Sequence, residues 1–215
     1  FLNLCKTGES FKESYPFVAN IPVNSAQARD YALEGYLFPD TYEIYSDESA
    51  ESIIGRMLTR FGQIMGDEYT ARAAKLNMSV DDVITLASLI EKEARHENDF
   101  TRVSAVFHLR LDKGMKLQSD APLKYIFHTS GVLTFTAEQM ADTSLYNTHV
   151  YEGLPLGPIA NPGRKAIEAA LYPDEEYMNE GYLYFCLMDS ETGELIYAKT
   201  LEEHNANVAK YRPNW

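Results

Sequence analysis

Apolar residues recur at the spacing of amphipathic helices in several stretches of the chain. From Ser46 to about Gly66 they follow the period of one long helix. Ser79 with Asp82, and Thr200 with Glu203, have the spacing of capping boxes, which mark helix N-termini. The same period then predicts helices over Ser79 to about Ala94, Phe100 to Lys113, Gly163 to Leu171, and Thr200 to Tyr211.

Shorter apolar runs predict strands. Tyr182–Met188 and Leu195–Lys199 flank a polar link that contains a glycine, which is typical of a hairpin, and the alternation over Met115–Gln118 predicts a short strand. The stretch from Ser119 to Pro162 is irregular, and long loops in a compact domain are commonly functional. We predict an α+β fold: a helix-rich domain over residues 46–215 with a small antiparallel sheet and long functional loops. An N-terminal segment over residues 1–45 precedes it.

Charge and cysteine content exclude several classes of function. The 32 acidic and 19 basic residues give a net charge of −13, which opposes a phosphate backbone and argues against nucleic acid as a partner. Cys5 and Cys186 form no CxxC pair, and the five histidines show no HExxH spacing. We therefore expect no metal site. The 15 tyrosines and 10 phenylalanines suit either ordinary packing or a carbohydrate groove.

The helix over residues 80–94 carries a glutamate on its apolar face. On a helical wheel with Val83 at zero, Glu91 falls near about 80°, between Val80 and Ile84. Desolvation there raises the pKa of a carboxyl, as a general acid near neutral pH requires. The alternative is a structural glutamate paired with an arginine or with backbone amides. Glu93, on the other flank, is either a second carboxylate of the site or an anchor for a nearby donor.

Several ordered segments resemble the MltG/YceG-like family of lytic transglycosylases. They are EGYLFPDTY at 34–42, ASLIEKEA at 87–94, GMKLQSD at 114–120, YNT at 146–148 with GLPLGPIANPG at 153–163, and YLYF at 182–185 with EHN at 203–205. The likeness runs in one order from Glu34 to Tyr211, and the chain is identified as a member of that family on these motifs.

The resemblance implies an endolytic murein transglycosylase. Such an enzyme cleaves the β-1,4 bond between N-acetylmuramic acid and N-acetylglucosamine within peptidoglycan strands and leaves 1,6-anhydromuramic ends. It implies Glu91, the first glutamate of the EKE segment, as the catalytic general acid and then base. The C6 hydroxyl of the sugar is the nucleophile, so one carboxyl suffices and no cofactor is required.

The resemblance also implies the cellular setting. Members carry one N-terminal transmembrane helix and a small LysM-like region before the catalytic domain. Since Phe1 is not an initiator methionine, we expect an excised soluble portion. Residues 1–45 would be a remnant after the missing regions, and residues 46–215 the catalytic domain. We expect a bacterial single-pass protein of the cell membrane with its catalytic domain on the extracytoplasmic side. Its expected partners are peptidoglycan strands and cell-wall synthesis enzymes.

The resembling motifs also supply candidate substrate-binding residues. Asp120 is equally predicted as the N-cap of a helix that starts near Pro122, and the 146–148 motif as turn chemistry. Two other functions stay open: a hydrolytic muramidase in which Glu93 or Asp120 activates water, and a non-catalytic peptidoglycan-binding or scaffolding module. The substrate-binding candidates are Glu93, Gln118, Ser119, Asp120, Tyr146, Asn147 and Thr148.

Overall fold

The structure, a computed structural model, describes residues 1–22, 28–131 and 134–215. The chain forms two compact units. The first comprises Phe1–Ser88 with Leu156–Leu171, and the second Leu89–Pro155 with Tyr172–Trp215. The predicted boundary between residues 45 and 46 rests on the helical period that begins at Ser46, and it stays a prediction.

Helices dominate both units. Among them, α4 belongs to the first unit up to Ser88 and to the second from Leu89 onward. Within the described part of the chain, no helix is long and apolar enough to cross a membrane. The helices are α1 (Leu2–Thr7), α2 (Pro16–Ala19), α3 (Ala50–Lys75), α4 (Val80–Glu93), α5 (Glu97–Asp112), α6 (Ala121–Ile126), α7 (Ala137–Met140), α8 (Arg164–Leu171), α9 (Glu175–Glu180) and α10 (Leu201–Tyr211), and the strands are β1 (Tyr184–Leu187) and β2 (Leu195–Ala198).

The predicted α+β class is confirmed. Strands β1 and β2 pair antiparallel, with Tyr184 opposite Ala198 and Leu187 opposite Leu195. Helix α10 packs on both strands. Helix α5 packs on β1, where Phe107 lies edge-on to Phe185 at 5.8 Å between ring centroids. The small sheet is therefore packed against helices, as a two-stranded sheet requires for stability.

The predicted helices around the candidate site are confirmed. At the start of α4, the backbone N–H of Asp82 donates to Ser79 Oγ at 3.1 Å, and that of Ser79 donates to the Asp82 carboxylate at 2.8 Å. This reciprocal pair satisfies two N–H groups that have no partner within the helix. Helix α3 continues past its predicted end at Gly66, where the backbone is non-helical with φ +35°, and resumes as far as Lys75.

The predicted strand over Met115–Gln118 is wrong. This segment has no regular secondary structure, because the buried Arg110 guanidinium takes its carbonyl groups. One Nη donates to the carbonyl oxygens of Leu117 at 2.8 Å and Lys116 at 3.0 Å. In addition, Gln118 has φ +51°, outside the extended region. A strand needs carbonyls that can pair with a neighbouring strand, and Arg110 occupies those of Lys116 and Leu117.

In the first unit, a buried ion pair fixes the beginning of α4. Arg29 binds Asp81 in a bidentate fashion at 2.9 and 2.6 Å, and the Tyr36 hydroxyl donates to the same carboxylate at 2.6 Å. Arg29 also donates to the carbonyl oxygen of Leu156 at 2.8 Å. The buried ring of Tyr36 packs against Phe61 with 5.1 Å between centroids. The helix that carries Glu91 and Glu93 thus starts from a fixed, fully bonded position.

Candidate active site

The last turn of α4 carries both glutamates of the EKE segment. Glu91 and Glu93 are each half-buried. Positions two apart on an α-helix differ by about 200° around its axis, so the two side chains leave the helix on different sides. They do not form a carboxylate pair across one helical face.

Glu93 lies in a desolvated environment. Burial raises the pKa of its carboxyl, the hydrogen bond from the Ser119 hydroxyl opposes that shift, and the nearby charge of Asp120 adds to it. These are the conditions that a general acid near neutral pH needs. The raised pKa that sequence analysis required of the acid is therefore present at Glu93. The catalytic role of Glu91 stays a prediction.

Ser119 belongs to a buried ladder with Thr148. The backbone N–H of Ser119 donates to Thr148 Oγ1, and this hydroxyl donates to the carbonyl of Ser119, both at 3.1 Å. The N–H of Gln118 donates to the carbonyl of Thr148, also at 3.1 Å. The buried N–H and carbonyl groups of Ser119 thus both have hydrogen-bond partners. These bonds fix the backbone of the serine whose hydroxyl faces Glu93.

Gln118 combines an exposed side chain with a left-handed backbone, at φ +51°. That conformation costs a non-glycine residue on the order of 1 kcal/mol and persists where the surroundings impose it. Here Arg110 binds the carbonyl of Leu117 on one side, and the N–H of Ser119 donates to Thr148 Oγ1 on the other. The strained, exposed position is consistent with its predicted substrate contact, which stays a prediction.

Asp120 has a partner that the sequence did not suggest. Its Oδ1 lies 2.9 Å from His149 Nε2, and the two side chains are 47% and 12% exposed. Asp120 does occupy the N-cap position of α6, as predicted, but its side chain makes no capping hydrogen bond. Instead, the N–H of Ala121 donates to Ser119 Oγ at 3.2 Å. The Asp120 carboxylate therefore bonds His149 and does not cap helix α6.

The 146–148 motif packs against the 118–120 segment through the bonds of Thr148. Asn147 is 1% exposed, its amide donates to the carbonyls of Met140 and Asp142 at 3.1 and 2.8 Å, and its Oδ1 accepts from the N–H of His149 at 2.9 Å. The buried ring of Tyr146 lies 4.9 Å from that of Tyr125. These contacts fit the predicted turn chemistry. Substrate contact by Tyr146, Asn147 or Thr148 stays a prediction.

Two residues of the site escaped sequence analysis. His149 directly follows the 146–148 motif, and that adjacency is the signal of it in the sequence. Arg110 carries no comparable signal, because its role depends on carbonyl groups that the fold brings to it. Among the described residues, no group of three or more His, Cys, Asp or Glu side chains is arranged to hold a metal ion.

Comparisons of the sequence with a family model and with curated proteins agree with one another. The YceG-like family model matches residues 4–210. A Bacillus subtilis (strain 168) protein named endolytic murein transglycosylase is 40% identical over 184 residues, covering 84% of this chain and 48% of that protein. One of the same name from Streptococcus pneumoniae serotype 2 (strain D39) is 35% identical over 202 residues, covering 92% of this chain and 35% of that protein.

A solved structure agrees with this relationship. The crystal structure of a yceG-like protein from Listeria monocytogenes matches with a TM-score of 0.82 at 35% identity, and covers 95% of this chain and 66% of that one. The chain spans about half the length, or less, of the curated relatives it matches. The likeness thus covers nearly all of this chain and only a part of those proteins.

Proposed function

Because the chain belongs to the YceG-like family, we propose that it is an endolytic murein transglycosylase. It cleaves the β-1,4 bond between N-acetylmuramic acid and N-acetylglucosamine inside peptidoglycan strands and leaves 1,6-anhydromuramic ends. The observation that carries the proposal is the carboxyl of Glu93 at the end of α4, with its pKa raised by burial and Ser119 and Asp120 beside it. The names of the curated relatives supply the reaction class.

The chemistry needs one group that gives up a proton and takes one back. The acid first protonates the glycosidic oxygen, which leaves with the N-acetylglucosamine side of the strand. As a carboxylate it then removes the proton of the C6 hydroxyl, whose oxygen bonds to C1 of the same muramic ring. The attack is intramolecular, which supplies much of the entropic advantage. No second carboxylate is needed to activate water.

Glu93 combines burial with a hydrogen bond from Ser119, and both features suit such a group. A carboxyl with a raised pKa is protonated at a pH where an exposed glutamate is ionised, so it has a proton to give. After the transfer, the Ser119 hydroxyl donates to the carboxylate and stabilises it. We propose Glu93 as the acid/base on these grounds. Glu91, which the family likeness indicates, is the second candidate for the same step.

The two glutamates offer a matched pair of variants. Uncrosslinked peptidoglycan is incubated with the wild type, Glu93→Gln and Glu91→Gln, and the products are analysed by mass spectrometry. Anhydro ends that disappear with Glu93→Gln and persist with Glu91→Gln support the proposal. The reverse result makes Glu91 the acid/base and Glu93 its structural neighbour.

The same product analysis separates the rival functions. Reducing ends in place of anhydro ends indicate a hydrolytic muramidase, in which Asp120, whose charge acts on the Glu93 carboxyl, is the candidate second carboxylate. Glycan binding without any cleavage indicates a non-catalytic module. We propose peptidoglycan strands as the substrate. Membrane attachment, an extracytoplasmic position and partner synthesis enzymes stay predictions.

A further inference from the structure

His149 is nearly buried and its imidazole points to a single carboxylate. Its side chain is 12% exposed, and Nε2 lies 2.9 Å from Asp120 Oδ1. The backbone of His149 is itself fixed, since its N–H donates to Asn147 Oδ1 at 2.9 Å. Because the backbone is fixed and the side chain is mostly enclosed, the imidazole loses little further conformational entropy when it bonds a carboxylate. These bonds make a defined contact between the 118–120 segment and the loop that follows α7.

Asp120 connects His149 to Glu93. The charge of Asp120 acts on the Glu93 carboxyl, and the neighbouring Ser119 hydroxyl bonds it directly. The charged and titratable groups known to act around this carboxyl are Asp120 and, from α6, Lys124. Asp120 is about half-exposed, so without a partner its carboxylate is free to rotate into solvent. The hydrogen bond to His149 prevents that rotation.

We propose that His149 is a positioning residue, which holds the Asp120 carboxylate in place beside Glu93 and so maintains the environment in which Glu93 releases and recovers its proton. This inference rests on the proposed function. His149 acts through Asp120 and touches no reacting atom. A direct role in glycan binding fits less well, because little of its surface is exposed.

A double-mutant cycle tests this dependence. The variants are His149→Asn, whose shorter amide falls short of Asp120, Asp120→Ala, and the two combined; kcat and KM are measured from the release of anhydro ends. Loss of a hydrogen bond to a charged group predicts that His149→Asn lowers kcat about tenfold, with a smaller change in KM. In the Asp120→Ala background the same change is expected to have almost no effect.

Two further variants serve as controls. His149→Gln restores a longer side chain with an N–H donor and is expected to recover part of kcat. His128→Asn alters an exposed histidine with φ +50°, a conformation that asparagine tolerates, and is expected to leave kcat unchanged. Thermal unfolding of every variant shows whether the chain still folds.

The outcomes are distinct. An active wild type in which His149→Asn costs the same factor with and without Asp120 overturns the positioning role and leaves the proposed function standing. A wild type that forms no anhydro ends overturns the proposed function and this inference together. Loss in the single variant that vanishes in the Asp120→Ala background supports both.

Discussion

The hydroxyl of Ser119 donates a hydrogen bond to the carboxyl of Glu93, although the two residues are 26 positions apart in the chain. The bond joins the end of α4 to the segment that carries Gln118 and Asp120. Backbone bonds to Thr148 hold that serine from the other side. Glu93 is therefore placed by a rigid neighbour and not by its helix alone, which bears directly on how its proton is controlled.

Changes at Ser119 and Asp120 are expected to move the pH dependence of activity in opposite directions. The Ser119 hydroxyl lowers the pKa of Glu93, so Ser119→Ala raises that pKa and shifts the alkaline limb of the rate profile to higher pH. The charge of Asp120 raises the same pKa, so Asp120→Asn shifts the limb to lower pH. The measurement is kcat/KM for anhydro-end formation as a function of pH. Shifts of the same sign, or none, contradict the assignment of Glu93 as the acid.

The buried carboxyl of Glu93 is also expected to make stability depend on pH. Its pKa is raised in the folded state, so the folded protein binds more protons than the unfolded chain between the two pKa values. Stability from this group is complete below the unfolded pKa and is lost as pH rises through the folded one. Glu93→Gln removes that loss, so its melting temperature relative to wild type should rise with pH. The exposed Glu194→Gln provides the baseline, and a constant difference for Glu93→Gln across pH would refute the expectation.

Gln118→Gly tests a substrate contact without disturbing the backbone. Glycine adopts the left-handed conformation of this position freely, so the free energy of unfolding should change by less than about 1 kcal/mol. Loss of one neutral hydrogen bond to the glycan would raise KM roughly fivefold. The matched control is Asn77→Gly, an exposed residue with φ +56° between α3 and α4. Equal KM values for wild type and Gln118→Gly would exclude a binding role for this side chain.

The Arg29–Asp81 ion pair is expected to be costly to break. The two side chains are 1% and 10% exposed, and removal of Arg29 leaves the buried Asp81 carboxylate without the cation that balances its charge. Arg29→Met should therefore lower the free energy of unfolding by about 3–5 kcal/mol, measured by urea denaturation. The exposed pair Arg60–Asp40 is the control, and Arg60→Met should cost far less, because solvent screens this pair. Similar losses in both variants would mean that burial does not set the cost.

Local sequence determined the helices that frame the site. In α10, Thr200 and Glu203 form the reciprocal bonds of a capping box, and Ser79 and Asp82 do the same for α4. Such bonds join residues three positions apart, and the hydrophobic period spans a few turns. Capping boxes and helical periods can therefore be predicted from the sequence. The motifs around 91, 118–120 and 146–148 likewise predicted which segments form the candidate site in the second unit. They did not predict which side chains contact one another there.

Tertiary structure decided which side chains have chemical significance. The helical wheel favoured Glu91, which falls between Val80 and Ile84, and placed Glu93 only on the other flank of the helix. In the structure, Glu93 accepts a hydrogen bond from Ser119 and feels the charge of Asp120, and Asp120 contacts His149 rather than its own helix. A carboxyl's proton affinity depends on the dielectric and the charges within a few ångströms. Those neighbours come from positions 26 to 29 residues distant in the chain, and folding alone brings them together.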